Sequence, residues 1–144
     1  LELNDKGIFV TILLGFLNRK THQFTYTRAG HELPILIDYK GSAKQLYKGE
    51  GQALGIFDIL TLDEQSISLA NNNTMVLYTD GITDAINEKN QMFGQQGILQ
   101  MVSDLPNQSV GKVCEELFRA VTDYQNPLPQ FDDMTIVAIR SEDS

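Results

Sequence analysis

The sequence has no tryptophan, one cysteine, four prolines and too few cations to balance its acids. Each shortage removes a class of protein. A lone thiol, Cys114, cannot close an internal disulfide, which excludes a disulfide-stapled secreted scaffold and fits a reducing, cytoplasmic compartment. Eleven Lys and Arg against nineteen Asp and Glu leave a formal charge of −8. The resulting field repels phosphodiester backbones and anionic head groups, so nucleic acid is not an expected partner. Long apolar runs are also missing. The most apolar stretch, Ile8 to Leu17, is broken by Thr11 and Gly15 and falls short of the roughly 20 residues that span a bilayer, so no membrane insertion is expected. The basic start of a secretory leader is absent as well.

What is present suits one globular domain: 144 residues, 42% hydrophobic and 21% charged, too apolar for a disordered chain. The first residue is Leu1 rather than Met, so the chain is expected to be a fragment. Ile8 to Leu17 is nearly continuous in β-branched and aromatic residues and predicts a strand buried on both faces. A polar turn, Asn18 to His22, joins it to Gln23–Ala29 as a hairpin. Pro34 to Tyr39 and Lys44 to Tyr47 flank a second hairpin turn, and Gly49, Gly51 and Gly55 punctuate a loop. Gln65, Ile67 and Leu69 alternate before Asn71-Asn72-Asn73, and Thr74 to Thr79 follows as an apolar strand, which predicts a third hairpin.

Helical spacing then takes over. Gln95 to Ser103 predicts a short helix, and Ser109 caps a longer one running to about Tyr124. Val110, Val113, Cys114, Leu117, Val121 and Tyr124 give that helix one apolar face, with Cys114 as core. Asn126-Pro127-Leu128-Pro129 ends it, and Met134 to Ile139 closes the chain as a strand. Antiparallel pairs followed by two helices and a return strand predict an α+β layered domain with helices covering sheet.

Two acidic motifs stand at strand ends. Asp80 lies where a strong strand stops and Gly81 permits a sharp turn; Asp132 precedes the last strand. If those strands are antiparallel neighbours, two carboxylates more than fifty residues apart converge, with Asp84 and Asp133 beside them. Like charges so gathered raise one another's pKa unless a cation neutralises them. A hard divalent ion suits such oxygen donors. His22 and His31 have no nearby thiol, which argues against zinc, and the acidic stretches lack EF-hand spacing. Taken singly, Asp-Gly is a turn dipeptide and Asp-Asp a solvated rim.

In context the wording is more specific. Leu77-Tyr78-Thr79-Asp80-Gly81-Ile82-Thr83-Asp84-Ala85, followed by Phe131-Asp132-Asp133-Met134-Thr135-Ile136-Val137, resembles the last two signature blocks of the metal-dependent protein phosphatases (PPM, protein phosphatase 2C-like), in the bacterial SpoIIE and RsbU-like branch. Phe9-Val10-Thr11, Ala29-Gly30-His31-Glu32-Leu33-Pro34 and Gln52-Ala53-Leu54-Gly55-Ile56 extend the likeness, in the family's order, across nearly the whole chain.

The resemblance implies an α-β-β-α sandwich and a protein serine/threonine phosphatase. Two Mn²⁺ or Mg²⁺ ions in the intact domain would activate a water for attack on phosphorus. By motif match Asp80 and Asp132 are the expected metal ligands and catalytic residues. Gly81, Asp84 and Asp133 are expected behind them or near a weaker additional ion. The expected substrate is a phosphorylated protein of the STAS type in bacterial partner switching that controls a sigma factor. His31 belongs to a signature but receives no chemical role, and a hydrogen-bonded histidine shaping a loop is the expectation. The family's Gly-Asp-x-x-Gly block, whose aspartate bridges both metals, does not occur between Leu1 and Ser144. The fragment alone is therefore expected to be inactive, and the alternative is a non-catalytic regulatory or binding module. Loss of the first strands exposes a sheet edge, which predicts self-association.

Overall fold

The computed structural model describes residues 7–46, 49–57, 59–103, 105 and 108–141. In chain order the elements are β1 (Ile12–Asn18), β2 (Gln23–Ala29), β3 (Ile35–Ile37), β4 (Ala43–Gln45), β5 (Glu64–Ser68), β6 (Thr74–Tyr78), α1 (Asp80–Thr83), α2 (Gly94–Ser103), α3 (Val110–Gln125) and β7 (Ile136–Arg140). They fall into two compact units: Leu1–His31 with Tyr47–Ala70, and Glu32–Leu46 with Asn71–Ser144. The mixture of antiparallel sheets and helices is the expected α+β class. No helix among the described residues is long and apolar enough to cross a membrane.

The first unit holds a three-stranded antiparallel sheet in the order β1-β2-β5. The first expected hairpin forms, from Ile12↔Ala29 to Asn18↔Gln23. Its turn is set locally: Asn18 Oδ1 accepts from the amides of Lys20 and Thr21, and His22 takes φ 54°. Phe24, Tyr26 and Ala29 on β2 are buried, and the Phe24 and Tyr26 rings stack at 5.8 Å. Gly15 lies so close to the Phe24 ring that a Cβ there would collide with it.

β1 itself departs from expectation. Instead of being buried on both faces, it is an outer strand whose Ile12, Leu14, Phe16 and Leu17 are exposed. A nearly continuous apolar run suits cover on both faces but does not say which element supplies it. Among the described residues, β1 has a sheet neighbour, β2, on one side.

The second unit holds a four-stranded antiparallel sheet in the order β4-β3-β6-β7. The β3–β4 hairpin matches the second expected one, its turn closed by Asp38, whose carboxylate accepts from the amides of Lys40 and Ser42. Tyr47, placed in that hairpin by the sequence, lies outside the described residues. The third expected hairpin does not form. β5 pairs with β2, whereas β6 pairs with β3 and β7, so the Asn71-Asn72 turn leads from one sheet to the other. Both asparagines adopt left-handed backbone, at φ 58° and 60°, which marks a tight turn without specifying which strands it serves.

Helices α2 and α3 provide this unit's core. Ile35, Ile37, Val76, Tyr78 and Ile82 cluster with Ile98 and Val102 of α2 and with Val113, Leu117 and Val121 of α3. Each such side chain contributes about 1.5–3 kcal/mol on burial. Ser109 caps α3 as its sequence predicts, its hydroxyl accepting from the Lys112 amide at 3.2 Å. Cys114 is half-buried on that helix, and burial pushes its thiol pKa up, with a smaller opposing pull from the Ala138 backbone.

Candidate functional site

The candidate site is built at one end of the β6–β7 pair. β6 is buried at Thr74, Met75, Val76 and Tyr78, and its register against β7 runs to Tyr78↔Ile136. The pairing that would bring Asp80 near Asp132 is therefore the observed one. One step beyond, the Thr79 amide donates to the Thr135 carbonyl at 3.1 Å. The Thr79 hydroxyl fastens the two segments again: it donates to the Asp133 carbonyl at 3.2 Å and accepts from the Thr135 amide at 3.0 Å.

The chain then turns into α1 rather than a simple turn. The Ile82 amide donates to the Thr79 carbonyl at 3.1 Å, and the Asp80 carbonyl receives the Asp84 amide at 2.8 Å and the Thr83 hydroxyl at 3.1 Å. Thr79 occupies the N-cap position without a side-chain cap bond, because its hydroxyl is engaged by the facing loop. Gly81 is buried, and a Cβ there would run into the Asp133 carbonyl oxygen and lie 3.5 Å from the Asp132 carbonyl carbon. Glycine is thus required for approach, so the turn bearing Asp80 and the loop bearing Asp132 are held against each other.

Across that junction, Asp132 Oδ1 accepts from the Asp133 amide at 2.7 Å, and Gln130 Nε2 donates to the Asp132 carbonyl at 2.7 Å. Asp80, Asp84, Asp132 and Asp133 are all exposed. Among the described residues, the ion pairs lie on α3, where Lys112 and Arg119 engage Glu116 and Lys112 also reaches Glu115. The four aspartates have no cationic side chain in such a pair. The donors are oxygen atoms, which fit a hard divalent cation in kind, and Mg²⁺ can be held by one or two carboxylates with waters filling the remaining positions. No cluster of three or more His, Cys, Asp or Glu suited to a metal occurs among the described residues.

Sequence reasoning missed Thr79 and Gln130. Thr79 could have been singled out as a hydroxyl residue directly before Asp-Gly, at a helix-start position; Gln130 carries no comparable signal. Tyr78, two residues before Asp80, is buried. Burial, and secondarily the Glu32 carboxylate, push its phenol above the ordinary tyrosine range, against a smaller opposing pull from the Gln45 side chain. His31 belongs to the other unit, where its Nδ1 meets the Thr11 hydroxyl at 3.1 Å and its carbonyl accepts from Arg28 at 2.6 Å. That is the loop-shaping arrangement expected of it.

Comparison with known proteins adds three kinds of likeness. A profile of the family described as stage II sporulation protein E (SpoIIE) matches residues 1–142. Protein IcfG of Synechocystis sp. is 25% identical over 138 residues, covering 96% of this chain and 22% of IcfG. The phosphoserine phosphatase RsbU of Bacillus subtilis is 24% identical over 136 residues, covering 94% of this chain and 40% of RsbU. Among solved structures, the SiaA-PP2C domain of Pseudomonas aeruginosa superimposes with a TM-score of 0.77 at 25% identity, covering 90% of this chain and 51% of that one. The fold is thus that of a PP2C-type phosphatase domain. The chain spans well under half the length of the curated relatives it matches.

Proposed function

Because the chain belongs to the SpoIIE family, we propose that it is the part of a metal-dependent protein phosphatase carrying Asp80 and Asp132 as metal ligands. The full-length protein then hydrolyses phosphoserine or phosphothreonine in a partner protein. The observation that carries this reading is the packing of Gly81 against the Asp133 carbonyl, which holds the two aspartate-bearing segments together. Mn²⁺ or Mg²⁺, when bound, supplies Lewis acidity toward water and the phosphoryl oxygens. Asp80 and Asp132 hold the ions. Thr79 keeps the two segments in register, and Gly81 leaves room for their approach. Asp84 and Asp133 stand behind the ligands or near a weaker additional ion. The substrate is a phosphorylated STAS-type protein of a sigma-factor switch in the cytoplasm, and residues 1–144 alone are inactive.

The test is an assay of the full-length protein on a phosphoserine substrate with Mn²⁺. Asp80→Asn and Asp132→Asn each lose most of the metal-dependent rate while the fold persists. Wild-type turnover by either variant overturns the ligand assignment.

The alternative reading is a non-catalytic, phosphatase-shaped regulatory or binding module. An in-frame Gly-Asp-x-x-Gly block encoded upstream of Leu1 favours the enzyme; an unrelated sequence there favours the module.

Self-association belongs to the same proposal, supported by the exposed apolar edge strand β1. Sedimentation of this chain at high concentration should show dimers or larger species. A monodisperse monomer counts against it.

A further inference from the structure

Residues 49–51 fold back on the end of β2 in the first unit. The Gly30 amide donates to the Gly51 carbonyl at 3.1 Å, and the Glu50 amide and carbonyl engage Asp63 Oδ2 and the Asp63 amide at 2.8 and 3.2 Å. Gly51 lies against the Arg28 carbonyl so tightly that a Cβ would collide with it. These contacts frame a cavity of about 460 Å³ lined by Arg28, Gly49, Glu50, Gly51, Gln52 and Thr61.

Arg28 is the unusual member of that lining. It is half-buried, its Nη1 is anchored on the His31 carbonyl at 2.6 Å, and it forms no ion pair among the described residues. A guanidinium is permanently charged and carries five N–H donors in a rigid fork. Here one donor is committed, and the anchor fixes the direction of the rest. A partly desolvated cation without a counter-charge is costly, and an anion bound against it offsets that cost. Glu50 also lines the cavity, but it is exposed and forms no ion pair with Arg28. Gln52 and Thr61 add neutral donors suited to oxyanion oxygens.

We propose that this cavity is an oxyanion subsite in which the Arg28 fork receives a phosphate monoester or carboxylate borne by a bound protein segment. It lies in the other unit from Asp80 and Asp132 and does not depend on their holding metal. The chain's charge of −8 opposes anions generally, so binding rests on the local fork and is weak for a small free ligand.

The experiment is an NMR titration of this chain with O-phosphoserine and, separately, N-acetylaspartate, following the Arg28 side-chain N–H and the amides of Gly49, Gly51 and Gln52. Saturable shifts confined to this set are expected. Arg28→Gln weakens binding by about tenfold or more, and Arg28→Lys retains a part of it, as loss of a bidentate, charge-assisted contact requires. Preference for phosphoserine identifies a phosphorylated segment as the occupant; equal response identifies an acidic side chain. If neither ligand shifts these signals, if the shifts lie elsewhere, or if a folded Arg28→Gln binds as wild type, the proposal fails. Should Arg28→Gln not fold, the location of the wild-type shifts still decides.

Discussion

In the four-stranded sheet, β6 is buried at four of its five positions, and α2 and α3 bring Ile98, Val102, Val113, Leu117 and Val121 onto it. In the three-stranded sheet, β1 is as apolar in sequence yet leaves Leu14 54% and Phe16 71% exposed. The same strand chemistry thus ends in opposite environments, and the difference lies in which neighbours each unit supplies. The unit that carries Asp80 and Asp132 has its own helices and core. The unit that carries β1 and Arg28 keeps much of its apolar surface available for contact with something else.

The largest test of that contrast is a pair of truncations. Leu117→Ala should cost about 2–5 kcal/mol, because it empties a fully buried position. Phe16→Ser should change stability by no more than about 0.5 kcal/mol while weakening any self-association. Urea denaturation measures both, and equal losses would erase the contrast between the units.

Next in size is a pair of glycines. Gly81→Ala drives a methyl into the Asp133 carbonyl and should cost about 1–3 kcal/mol. Gly111→Ala, in α3 with nothing within 4 Å of the added carbon, should be neutral or stabilising by up to about 1 kcal/mol. Thermal melts separate the two. If Gly81→Ala were silent, the close approach of the two aspartate-bearing segments would be wrong.

The smallest effect concerns Cys114, whose thiol is held above its ordinary pKa chiefly by burial. A raised folded value means that this contribution to stability is complete below the unfolded thiol's pKa and is lost as pH rises through the folded one. Stability should therefore decline slightly at alkaline pH, and Cys114→Ala should remove that share of the decline. Alkylation of the native thiol near neutral pH should be slower than that of the unfolded chain.

Much of the fold was legible because local signals agreed with tertiary ones. The β1–β2 and β3–β4 hairpins have turn residues that fix their own geometry, and α3 combines a serine cap with a regular apolar stripe. The third hairpin failed because Asn71-Asn72 specifies a tight turn and not a strand partner. A finer signal was available: Gln65, Ile67 and Leu69 alternate, as suits a half-exposed strand, whereas Thr74 to Tyr78 is apolar throughout. Strands of such different pattern seldom share one face. The burial of β1 was misread because continuity of apolar residues is local, while cover is supplied by other elements. At the candidate site, Asp80 and Asp132 could be named from their motifs, and the structure gives the antiparallel β6–β7 register. The roles of Thr79 and Gln130 depend on contacts spanning the loop and were not legible.

The central claim is that Asp80 and Asp132 belong to one cation site, and a Mn²⁺ titration of the full-length protein tests it most directly. The wild type, Asp80→Asn, Asp132→Asn and the double variant would be compared by calorimetry. Residues sharing an ion are strongly non-additive, so each single change should abolish most of the binding and the double should add little. Unchanged Mn²⁺ affinity in either single variant, or losses that simply add in the double, would contradict the account.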